Sequence, residues 1–372
     1  MNETISSMPP GNGTEQKKSS TKEIMIGNLK KFLKKSQKSF REFPLDSRHK
    51  ILIQEDGCRI FGPYISDSSV PLTWINSKYP KSPSFDDFFH AGNWDMGGDR
   101  VWIAPEFPFF TKSRKHFKES YTVQPGIDPA DYHISRETPE LIELSSMLQA
   151  DLYESSWKHK RFHIRRQIRP LSNPLSASCV FSDLVPKVSY CGFQEHIYLE
   201  DFTPGAPILL EIWDLFQVRP GGTFLIPYHG KTLDYVDYYA PSSGNVLSFE
   251  NGLAKVKVHS HEEHKIGFKA YQTHGRVGYL LKLSEDQWTL LIRNYYNNPS
   301  DPYIKEPSDA PGQTGCSLFI YMNDTSSDGF AELETTSTTF GYPDCGNGYM
   351  DLDFWFFTGT SENIQQIIDL LL

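Results

Sequence analysis

The chain has no paired cysteines, no long apolar run and no excess of positive charge, and each absence argues against a class of function. Its five cysteines, Cys58, Cys179, Cys191, Cys316 and Cys345, lie scattered through 372 residues. An odd, dispersed set with no CxxC pair indicates neither a disulfide framework nor a zinc knuckle, and reduced thiols in a cytoplasmic protein are the simpler expectation. No stretch approaches the ~20 consecutive apolar residues that a membrane span needs. Met1-Asn2-Glu3-Thr4 leads into Ser, Pro, Gly and Lys rather than an apolar segment, so no signal peptide is expected. The formal charge of −9 runs against a general nucleic-acid binder, which carries a basic balance. There is no GxGxxG before a helix, no P-loop, no GxSxG elbow and no HExxH, so no cofactor is expected.

What is present points to β structure. Phe, Tyr and Trp make up 14% of the chain, enough for a sizeable core, and 25 Pro with 26 Gly indicate many turns rather than long helices. The length allows about two domains, but all-β folds of this size often form one. Lys50-Ile51-Leu52-Ile53 and Arg59-Ile60-Phe61 flank the turn signal Asp56-Gly57, a hairpin pattern. Runs with period two recur at 161–168, 253–258, 278–283 and 288–295, separated by clusters such as Pro220-Gly221-Gly222. Such spacing predicts a large antiparallel sandwich or barrel. Thr360 or Ser361 caps a run with Ile364, Ile367, Ile368 and Leu371 on one face, which predicts a C-terminal helix. Thr138-Pro139-Glu140 also carries a helix-start signal before Leu141, Leu144 and Leu148, and periodicity alone leaves that segment open.

The N-terminal 45 residues read as an arm preceding a single domain at 46–372. Residues 1–21 are polar and rich in Gly, Pro and Ser, and cannot bury enough surface to offset ordering entropy. Lys30, Lys31, Lys34, Lys35 and Lys38 then surround Ile26, Leu29, Phe32 and Leu33 at helical spacing. The segment is either a helix lying on the domain or a surface that binds a membrane or a partner; the former is expected.

Four stretches together resemble the galactose-mutarotase-like (aldose 1-epimerase-like) superfamily. They are Arg59-Ile60-Phe61-Gly62-Pro63-Tyr64 with Leu72-Thr73-Trp74, the run from Asn93 to Glu106, Ile212-Trp213-Asp214-Leu215-Phe216-Gln217-Val218, and Phe330-Ala331-Glu332-Leu333-Glu334-Thr335-Thr336-Ser337. They span residues 50–358. The resemblance implies an all-β fold, a β-supersandwich of large antiparallel sheets with an open sugar-binding groove, here with a short C-terminal helix added. It also implies that the Thr138 segment is a strand, against its capping signal. The ligand it implies is a sugar or glycosylated small molecule.

Epimerases of this kind use a histidine acid at the ring oxygen and a glutamate base at the anomeric hydroxyl, two groups whose environments separate their pKa values. Leu333-Glu334-Thr335 resembles the segment that carries the base, which makes Glu334 the candidate. Period two puts Glu332 on the same face; without the resemblance, the two acids read equally as a solvated sheet edge. Arg100 matches a sugar-binding arginine, whose fork suits vicinal hydroxyls, or else it pairs with Asp99 or Glu106. Asp99, Trp102, Trp213 and Arg293 join it as candidate ligand contacts, and Trp94 or Trp102 could stack on a pyranose as readily as pack in the core.

The chain departs from the epimerase pattern at one point. Trp213 stands where the acid histidine is expected, leaving His229 or His196 as substitutes. His259-Ser260-His261-Glu262-Glu263-His264 offers a metal-ligand pattern as well, although a solvated turn is the ordinary explanation and no metal is expected. Two functions follow: an epimerase or isomerase using Glu334 as base, with Glu332 and His229 as further catalytic candidates, or a carbohydrate-binding protein without turnover. A third, recruitment to a partner through the basic arm, rests on the lysines alone.

Overall fold

A computed structural model describes residues 23–153, 158–177, 179–203, 208–325, 328–341 and 346–372. The expected disorder of residues 1–21 lies outside them, as does Cys345. Two large antiparallel sheets, of nine and ten strands, pack face to face. Six strands lie side by side at the centre of the nine-stranded sheet: Arg59–Tyr64, Asp99–Ala104, Glu211–Val218, Ala331–Thr336, Cys316–Met322 and His264–Lys269. Their registers set one row of side chains across the sheet from Arg100 through Leu215 and Glu334 to Phe319. A parallel row runs from Gln217 through Glu332 and Tyr321 to Lys265.

Alternation along each strand sends the neighbouring residues the other way. Val101, Phe216, Leu333, Ile320 and Ile266 point into the core between the sheets. All six residues of Ala331–Thr336 are buried, so its acidic face is covered rather than a solvated edge. The chain reaches Asp99 through Gly97 and Gly98, both at positive φ (97° and 80°). A Cβ at Gly97 would meet the Trp74 carbonyl oxygen at 2.4 Å and one at Gly98 would meet that of Ile60 at 2.8 Å, so side chains are sterically excluded from this turn.

The local signals resolve as follows. Lys50–Gln54 pairs with Arg59–Tyr64 around Asp56-Gly57. Thr138-Pro139-Glu140 is the turn between the strands His133–Thr138 and Leu141–Asp151, so the strand implied by the resemblance is found and the helix signal is not used. Ser361–Leu371 is helical; the Thr360 side chain accepts from the Asn363 N–H, and Ile364, Ile367 and Ile368 pack on Leu290, Ile292 and Phe357 of the ten-stranded sheet. Each buried isoleucine contributes about 1.5–3 kcal/mol.

The described part of the N-terminal 45 residues lies on the sandwich. Helix Ile26–Lys35 buries Ile26, Leu29, Phe32 and Leu33 against Leu52, Phe61 and Tyr79. Lys30, on the face expected to be free, reaches Glu42 (3.0 Å) and Asp67 (2.6 Å). Phe40–Pro44 then forms the edge strand of the nine-stranded sheet. The apolar stripe of this helix faces an apolar end of the sheet and is buried there. Lys31, Lys34 and Lys35 remain exposed. No described helix is long and apolar enough to cross a membrane.

Candidate active site

The outer face of the nine-stranded sheet carries a cavity of about 250 Å³, roofed by residues 105–121 and by the loops around Tyr239 and Glu263. Glu332 and Glu334 form part of its floor, with Arg100 on one side and Lys265 on the other. Glu332 accepts from Arg100 Nη2 (2.7 Å) and Gln217 Nε2 (2.8 Å). The Arg100 guanidinium lies 4.6 Å over the Trp102 ring and 5.5 Å from Trp94. Its Nε and Nη1 are buried and make no hydrogen bond, lying 3.7 Å from Asp128 and 3.8 Å from Asp95 respectively. Trp102 directs its own N–H to Asp128 (3.0 Å).

Glu334 is held differently. Trp213 Nε1 (2.9 Å) and Lys305 Nζ (3.1 Å) donate to its Oε2, and Lys265 Nζ stands 3.4 Å from the same oxygen. Lys265 also reaches Glu106 (3.4 Å), which accepts from the Tyr121 hydroxyl (3.1 Å). Trp213 lies between the two lysines, 3.1 Å from Lys305 and 4.7 Å from Lys265 to the ring centre.

These surroundings push the two carboxyls apart. Burial raises Glu332 to about 7, with Arg100 opposing and Glu334 adding to the shift. Burial would raise Glu334 too, but Lys265 and Lys305, with the bonds from Lys305 and Trp213, hold it below its ordinary value. Burial and the neighbouring Lys265 lower Lys305 to about 7. Lys265 is raised, because Glu106 and Glu334 outweigh its own burial. At neutral pH the cavity therefore presents an ionised Glu334 beside a Glu332 poised to titrate.

Six of the residues singled out for a sugar site meet here: Trp94, Arg100, Trp102, Trp213, Glu332 and Glu334. Asp99 and Arg293 do not reach the cavity. Asp99 neighbours Arg100 in a strand and so points the opposite way, into the core, where it accepts from Arg166 (2.6 Å). Arg293 comes from the ten-stranded sheet, pairs with Asp214 and donates to the Leu333 carbonyl (3.1 Å) behind the acidic strand. His229 is exposed on a loop of the ten-stranded sheet, stacked on His274 at 3.8 Å, and His196 bonds Asp351 on that sheet (2.6 Å). Neither faces Glu334.

The His259 cluster does not converge: His264 is buried between the Ala240 carbonyl and Ser260, while His261 is exposed, 3.9 Å from Asp324. Carboxylate oxygens of Asp99, Glu195 and Asp214 come within 4.8 Å of one another in the core. Arg166, bonded to Asp99 and Glu195, and Arg293, bonded to Asp214, supply the positive charge there.

The sequence reading missed Lys265, Lys305, Glu106, Gln217 and Tyr321. Lys265 carried a weak signal, a lone cation entering the apolar run Ile266-Gly267-Phe268. Lys305 carried none, because it comes from an irregular segment that only the fold brings beneath Trp213.

Among solved structures, the chain is similar to a candidate aldose 1-epimerase from Escherichia coli K12, at 11% identity and a TM-score of 0.45, covering 86% of this chain and 99% of that one. It is similar to a candidate aldose 1-epimerase from Klebsiella pneumoniae, at 10% identity and a TM-score of 0.43, over 86% and 79% of the two chains. The GalM/aldose epimerase homologue from C. elegans gives 9% identity and a TM-score of 0.39, over 86% and 98%. No curated protein matches the sequence. Residues 31–372, nearly the whole chain, match the Family of unknown function (DUF6786), and the chain belongs to that family.

Proposed function

We propose that the cavity binds a sugar ring and that Glu332 and Glu334 exchange protons with it as an acid–base pair, in an epimerase or isomerase type of reaction. The observation that carries this is two carboxyls in one cavity with pKa values displaced in opposite directions. Glu332, protonated below about 7, gives its proton to the ring oxygen. The Glu334 carboxylate takes the proton of the anomeric hydroxyl, the ring opens, and rotation before closure gives the other anomer. Successive same-face residues stand about 6.6–6.8 Å apart along a strand, so both carboxyls reach one ring. The part-exposed Trp94 ring suits its C–H face.

Interconversion of the two anomers tests the reading, measured by polarimetry and NMR exchange on a panel of aldoses. Glu332→Gln and Glu334→Gln should each slow exchange by about 10²-fold or more, while sugar binding persists. Equal rates in wild type and both variants would overturn it. A second reading, binding without turnover, is favoured by Trp213. Its N–H ties down Glu334 at the position where the resemblance implies an acid histidine, and a carboxylate held below its ordinary pKa is a weak base. Sugar binding without exchange in the wild type selects that reading.

A further inference from the structure

We infer that the groove takes an extended glycan of at least three sugar residues, with one ring in the central cavity and a neighbour on each side. The inference rests on the reading of binding without turnover and deepens it, since a ring linked on both sides has no free anomeric hydroxyl to lose a proton. Two further spaces adjoin the central cavity across shared wall residues. On one side it shares Trp94 and Tyr321 with an open trough of about 470 Å³ that runs past Trp74, Asn93 and Asn323. On the other it shares Phe117, Lys118, Tyr239 and Glu263 with a trough of about 730 Å³ that reaches Lys115 and Ser308. At about 250 Å³ the central space is smaller than either flank and below the ~300–1,000 Å³ of sites for drug-sized ligands. A single ring fills it and leaves both troughs empty.

The junctions are aromatic. Trp94 is 38% exposed, an unusual position for a tryptophan that also contacts the Trp102 ring at 5.7 Å. It presents a free face where the central space meets the first trough. Tyr321, shared with the first trough, stands edge to face at 6.2 Å with Tyr239 of the second, and its hydroxyl donates to Glu263 (3.0 Å). Flat rings at successive steps of a groove, with hydroxyl and carboxylate groups between them, suit a chain whose units alternate C–H faces and hydroxyl edges. A site for a free monosaccharide gains nothing from either trough. Enclosure on both sides also suits an internal residue of a chain better than a free reducing end.

The test is calorimetric or NMR titration of the intact protein with glucose, galactose and glucuronate, and with linear oligomers of each from two to six residues. Affinity should rise about three- to tenfold per added residue up to three, the contribution of an aromatic contact, and then level off. Asn93→Ala and Ser308→Trp change one trough each and line no part of the central cavity. Each should bring trisaccharide affinity down toward the monosaccharide value while leaving monosaccharide affinity unchanged. Monosaccharide binding with no gain from length overturns the extended groove and leaves the sugar-binding reading standing. Absence of binding by every sugar in the panel overturns both.

Discussion

Replacing Arg293 by Met separates two readings of that residue. As a ligand contact its loss would weaken sugar binding and leave the fold intact. In the structure it is fully buried between the sheets, bonded to Asp214 and to the Leu333 carbonyl. Arg293→Met then leaves three core carboxylates, Asp99, Glu195 and Asp214, facing Arg166 alone. Removing one partner of a buried pair costs about 3–5 kcal/mol, a fifth or more of the ~5–15 kcal/mol typical of a whole protein. At a urea dependence near 3 kcal/mol per molar, the midpoint falls by about 1–2 M.

The cost should depend on pH. Burial, then Asp214 and Glu195, already raise Asp99 well above its ordinary value. A group raised in the folded state contributes stability fully present below its unfolded pKa, and that contribution is lost as pH rises through the folded value. Loss of a guanidinium raises the core carboxyls further, so the gap between variant and wild type should widen with rising pH and narrow in acid. Urea unfolding across pH 4–8, followed by tryptophan fluorescence, reads both effects. A cost below about 1 kcal/mol, or weakened sugar affinity in a variant of wild-type stability, refutes the argument.

Three further outcomes are expected. Glu332, raised to about 7, contributes stability present below the ordinary carboxyl range and lost as pH rises through about 7. If it is the acid, exchange falls along the same limb, and a pH–rate profile of Glu332→Gln loses that inflection. Trp213→Phe removes a hydrogen bond to an ionised carboxylate and should cost about 1.5–3 kcal/mol in thermal or urea unfolding; no cost would mean that the indole N–H does not hold Glu334. Leu29→Ala empties a fully buried position beneath the N-terminal helix and should cost about 2–5 kcal/mol. A neutral result in urea unfolding would detach that helix from the folded core.

Much of the fold was legible because its signals are local. The C-terminal helix follows from a cap and an apolar stripe, and the Lys50–Tyr64 hairpin from Asp56-Gly57 between apolar runs. The turn at Thr138-Pro139-Glu140 was less clear, since a cap before a proline begins a helix or closes a hairpin with the same residues. The shared face of Glu332 and Glu334 followed from the two-residue period of a strand. The same period places Asp99 and Arg100 on opposite faces of their strand, so only one of the two can face a ligand in the groove.

The sequence by itself determined the alternation of faces, the β-rich class and an acidic strand able to present two carboxyls together. Only the tertiary structure decided what those carboxyls are. Glu332 sits beside Arg100 from a strand 232 residues earlier in the chain, and Glu334 beside Lys265, Lys305 and Trp213 from three other segments. Their charges act through a buried space that no local pattern encodes. One carboxyl rises to about 7 while its neighbour two residues away is held below its ordinary value.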